Sequence, residues 1–68
     1  PEVEKSADTA EGILSELRNE RDPEKARALV GKLLLETVAM SRKLGVDPEE
    51  ALGSETDGFI LDFMQNNK

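Results

Sequence analysis

Apolar residues recur at three- and four-residue steps along most of this chain, the period of helices buried on one side. The clearest stretch is 29–52, LVGKLLLETVAMSRKLGVDPEEAL. Leu29, Val30, Leu33, Leu34, Thr37, Val38, Ser41 and Leu44 make one side of it oily for four turns. Gly45 follows the last periodic residue, with Arg42 and Lys43 in the turn before it, where they oppose the negative helix end. Asp47-Pro48-Glu49-Glu50 then restarts a helix, with aspartate as cap, proline at the first helical position and glutamate at the third.

Two further segments flank this one. Ala10, Ile13, Leu14 and Leu17 share a face at i, i+3, i+4 and i+7, and Ala7 and Val3 extend it backwards. Ser6 is the expected cap of that helix, with Asp8 in its first turn. Gly12, inside the pattern at a cost of about 1 kcal/mol against alanine, is expected where two helices come close. The pattern fades over Asn19–Arg21, and Asp22-Pro23 starts the second helix, which runs to Leu44. So short a connector between two amphipathic helices predicts an antiparallel hairpin. Beyond Pro48, the residues Gly53, Ser54, Thr56 and Gly58 are poor helix formers. Leu52, Phe59 and Phe63 nevertheless keep a spacing that one helix would align. Two outcomes stay open: a helix from 48 to about 65, or a break around 53–58. The cluster Phe59, Ile60, Leu61, Phe63, Met64 is too apolar for a free tail, so it packs on the hairpin or on a partner chain. Residues 65–68 are expected to fray.

The expected fold is therefore all-α, a single domain over 1–68: an antiparallel helical hairpin plus a third, C-terminal helical segment. The expected core or interface residues are Leu14, Leu17, Leu29, Leu33, Leu34, Val38, Leu44, Leu52, Phe59 and Phe63. A chain of 68 residues buries only about 60% of its unfolded surface. With no cysteine, it has no disulfide to compensate, and oligomerisation is the remaining route.

Composition narrows the chemistry. There is no histidine and no cysteine, which excludes histidine-based nucleophilic catalysis and thiolate metal sites. Fifteen acidic residues against nine basic ones give a net charge of −6, which argues against nucleic acid and anionic membrane as partners. The excess serves solubility or gathers carboxylates around a hard cation. No apolar run reaches the roughly 20 residues of a membrane span. A cytoplasmic location is the expectation compatible with absent cysteine.

The central stretch resembles the MazG family of all-α nucleoside triphosphate pyrophosphohydrolases. The residues carrying the resemblance are Val30-Gly31-Lys32-Leu33-Leu34-Leu35, Ser41-Arg42-Lys43-Leu44-Gly45 and Asp47-Pro48-Glu49-Glu50-Ala51-Leu52. They cover about a third of the chain without a gap. The resemblance implies carboxylates on two facing helices that hold Mg²⁺, with water attacking between the α- and β-phosphates of a nucleotide. It also implies dimers or tetramers that complete four-helix-type bundles. Most of the implied ligands are replaced here. The second-helix carboxylates fall on Leu29 and Lys32, and the later asparagine and lysine fall within Glu55–Phe59, where only Phe59 fits the pattern. The first-helix motif falls over Ala7, Asp8 and Glu11, leaving Asp8 and Glu11 as candidate metal ligands; read plainly, they are acids near a helix start. Lys32 either pairs with Glu36 one turn on or contacts phosphate in place of a metal. The family's leading helix has no counterpart, and the start at Pro1 is that expected of a fragment. Expected from all this is a catalytically degenerate, oligomerising MazG-like protein. The alternative is an active Mg²⁺-dependent pyrophosphohydrolase that uses the remaining or partner-supplied carboxylates.

Overall fold

In the computed structural model, which describes residues 2–66, the chain forms three helices: α1 (Glu2–Asn19), α2 (Pro23–Leu44) and α3 (Pro48–Asn66). Among the described residues there is no strand, so the all-α class is as expected. Nor, among the described residues, is any helix long and apolar enough to cross a membrane. The caps written in the sequence are visible at both Asp-Pro junctions. The Asp22 carboxylate accepts from the Glu24 amide at 3.2 Å. Asp47 accepts from Glu49 and Glu50 amides at 3.0 and 3.2 Å, satisfying two donors that a helix start leaves open. The end of α2 is a Schellman motif. Gly45 sits at φ 72°, its amide donates to the Arg42 carbonyl at 3.3 Å, and the Val46 amide donates to Ser41 at 2.8 Å.

α1 and α2 pack as the expected hairpin. Its buried residues are Ala10, Ile13 and Leu29, with Leu17, Ala26, Leu33, Glu36 and Met40 half-buried around them. Small alanines at 10 and 26 suit a close seam, and Ile13 and Leu29 fill it. On α2 the polar members of the stripe are satisfied internally. The hydroxyls of Thr37 and Ser41 donate to the carbonyls of Leu33 and Thr37, each at 2.9 Å.

Two expectations change, and of the two outcomes open for the third segment one is found. α1 starts at Glu2, not at Ser6, so Ser6 lies within the helix and Asp8 beyond its first turn. The reason is that half-buried Val3, Ser6 and Ala7 continue the packed face backwards, and the Thr9 hydroxyl donates to the Lys5 carbonyl (3.1 Å) from inside the helix. Gly12 marks no close approach: a Cβ there would meet nothing within 4 Å. α3 is unbroken through Gly53 and Gly58 and continues to Asn66, so Gln65 and Asn66 are helical where fraying over 65–68 is expected; residues 67–68, like the start at Pro1, lie outside the described residues.

α3 leaves the hairpin. Among the described residues it contributes nothing buried, and it meets α2 only near their shared elbow. The molecule is consequently a slab of 41 × 34 × 15 Å. Its radius of gyration is 14.9 Å, against about 11 Å for a compact chain of this length.

Candidate functional site

The groove between α1 and α2 is where the charged candidates converge. It encloses about 330 Å³ and is lined by Thr9, Gly12, Ile13 and Glu16 of α1 and by Leu29, Lys32, Leu35 and Glu36 of α2. Residues 9, 12, 13 and 16 follow the i, i+3, i+4, i+7 pattern, as do 29, 32 and 36 apart from one step, so each set lies on one helix face. Lys32 therefore stands beside Glu36 on its own helix and shares the groove with Glu16 across it. Missing the side chain at Gly12 leaves the groove open on the α1 side.

Asp8 and Glu11 sit one turn apart on α1, both exposed, and neither lines the groove. Among the described residues no three acidic side chains are grouped closely enough to hold a metal ion. Leu29, on the position where the resemblance puts a metal-binding carboxylate, is instead buried in the hairpin at 8% exposure. Nor is any polar or charged side chain buried among the described residues. The groove therefore lacks the desolvated acid or base that usually marks catalytic machinery. Its two carboxylates and one amine offer a polar surface for hydrogen bonding.

A second surface is larger and apolar. On the outward side of α2, Leu35, Val38, Ala39, Arg42 and Lys43 line a depression of about 620 Å³. It continues around the elbow, where Val38 and Arg42 meet Val46, Asp47, Pro48 and Glu49 in a further 520 Å³. Leu35, Val38, Ala39 and Arg42 are at i, i+3, i+4 and i+7, so this is a single straight ridge with a basic end. Leu34 and Leu35 are 60% and 70% exposed.

Of the other expected core or interface residues, Leu17, Leu33 and Val38 are half-buried, while Leu14, Leu44, Leu52, Phe59 and Phe63 are exposed. Along α3 the apolar side chains Leu52, Phe59, Ile60 and Phe63 share one exposed side. The charge pattern of α2 and α3 is written in the sequence. α2 carries Lys25, Arg27, Lys32, Arg42 and Lys43 against Glu24 and Glu36; α3 carries Glu49, Glu50, Glu55, Asp57 and Asp62 and no base. No known protein family, curated protein or solved structure matches this chain.

Proposed function

We propose that this chain is a catalytically degenerate, MazG-like helical module that acts by assembling, completing a four-helix-type bundle with further subunits, and not by hydrolysing nucleotides. The observation that carries this reading is the exposed apolar surface of the molecule. Domains are built around one hydrophobic core, and here three of the described residues are buried while α3 offers its large side chains to solvent. The degenerate chemistry is supported separately by Leu29, an apolar residue sealed in the hairpin where the resemblance asks for a carboxylate.

Two measurements test the proposal. Sedimentation equilibrium of the intact chain is expected to give an oligomer mass, a multiple of 7.5 kDa. Incubation with nucleoside triphosphates and Mg²⁺ is expected to release no pyrophosphate. Turnover that disappears in Glu36→Gln would assign the groove to the pyrophosphohydrolase alternative, and a monomer at high micromolar concentration would remove the assembling role.

A further inference from the structure

The surface of this chain states how much is left uncovered. It exposes 5897 Å², whereas a compact protein of 7.5 kDa exposes about 4,200 Å². The surplus, roughly 1,700 Å² per chain, exceeds the roughly 800 Å² per partner of a standard interface and falls in the range of obligate dimers. A second copy could therefore absorb it whole. What remains is which face meets which.

Charge decides between the pairings. Two α3 helices side by side would bring ten carboxylates together, Glu49, Glu50, Glu55, Asp57 and Asp62 from each copy, with no base in either helix to offset them. Two α2 helices would oppose net positive charge, five bases against Glu24 and Glu36 in each. α3 against α2 is the pairing in which the signs attract. The shapes agree as well. On α3 the stripe from Leu52 to Phe63 spans about 17 Å at 1.5 Å per residue, and on α2 the ridge from Lys32 to Arg42 spans about 15 Å. The α3 stripe is edged by Glu55 and Asp62, which stand at i−4 and i+3 from Phe59. The α2 ridge has an apolar floor of Leu35, Val38 and Ala39 with Arg42 at one end, and Lys32, in the adjoining α1–α2 groove, stands one turn before Leu35 at the other.

We propose that two copies of this chain exchange their third helices, α3 of each lying along the Leu35–Val38–Ala39 ridge of α2 in the other. The exchange is reciprocal, so the interface is a two-fold one in which each copy gives and receives the same contact. It rests on the assembling role proposed above and names the surfaces that carry it. Each copy then covers the apolar side chains that the other leaves exposed, and the acids of α3 meet the bases of α2.

The test uses the intact chain and two charge-reversed variants. One carries Lys32→Glu and Arg42→Glu; the other carries Glu55→Lys and Asp62→Lys. In either variant alone both exchanged contacts become like-charged, and its dimer dissociation constant should rise about ten- to a hundredfold. In a 1:1 mixture both contacts regain opposite charges, so a heterodimer of near-original affinity should form. An unaltered dimer in both variants would overturn the exchange while leaving assembly itself intact; a monomeric parent chain would sink assembly too. Circular dichroism checks that each variant keeps its helices. Should either unfold, the cysteine-free sequence permits a second measurement at fully exposed positions. Chains with Leu35→Cys and Phe59→Cys, mixed and oxidised, should give the mixed 35–59 disulfide. A 59–59 disulfide formed by the Phe59→Cys chain alone would show α3 pairing with itself, and overturn the proposal.

Discussion

Two three-residue connectors, 20–22 and 45–47, end in the same Asp-Pro start, yet one folds the chain back on itself and the other sends it away. At the first, side chains hold the turn. The Arg21 guanidinium donates to the carbonyls of Arg18 and Glu20 at 3.3 and 3.2 Å, and the Asp22 amide donates to the Glu20 carboxylate at 3.0 Å. At the second, the backbone holds it through Gly45 in the left-handed region and the two Schellman bonds. Both junctions specify where a helix starts. Neither specifies where it points; that is decided by whether a matching apolar seam is within reach. α1 finds Leu29 opposite Ala10 and Ile13, whereas α3 buries none of its described residues.

The contrast is broken most forcefully at the seam. Leu29→Ala should destabilise the hairpin by about 2–4 kcal/mol, because it removes a buried side chain and leaves a gap. Urea unfolding followed by circular dichroism measures this. Phe59→Ala, at a residue 72% exposed, should leave the unfolding of dilute, monomeric chain within about 0.5 kcal/mol of the parent. Equal losses at the two positions would mean that α3 packs within its own chain.

Gly45→Ala acts on the second junction alone. An alanine at φ 72° costs about 1–2 kcal/mol, and the result should appear as fraying at the end of α2 and a reoriented α3. Amide exchange of Val46, bonded to Ser41 in the folded chain, reports it directly. The caps come next: Asp47→Ala should lower the helicity of α3 at a cost of about 1 kcal/mol, and Asp22→Ala somewhat less, since Asp22 accepts from one amide where Asp47 accepts from two. One change has the opposite sign. Gly12→Ala enters open space and should stabilise α1 by about 0.5–1 kcal/mol, raising the melting temperature.

What was legible in the sequence was local. Asp22, Asp47 and Gly45 act on amides and carbonyls within a few residues, so their roles follow from spacing alone. The hairpin follows from two apolar stripes and a connector too short for anything else. The start of α1 differs from its expected place because a serine that can cap a helix can also sit inside one when Val3 and Ala7 extend its packed face. Spacing alone leaves the continuity of α3 open: Gly53 and Gly58 each oppose it by about 1 kcal/mol, while a well-made cap at Asp47 supplies the nucleus from which a helix propagates. For the candidate groove the limit is different. Lys32 and Glu36 share a helix, so their proximity is written in their spacing. That Glu16 joins them depends on the register between α1 and α2, which no single-helix periodicity contains. The direction of α3, and so the bare ridge of α2, depends likewise on contacts between elements.

The central claim is that the apolar stripe of α3 is covered in solution by another copy of the chain. Hydrogen exchange of the α3 amides, measured across a hundredfold range of protein concentration, tests it most directly. The account predicts protection over residues 52–63 that approaches that of α2 at high concentration and falls away on dilution, while the hairpin amides around Leu29 change far less. Protection of α3 that is weak and equal at every concentration would contradict it.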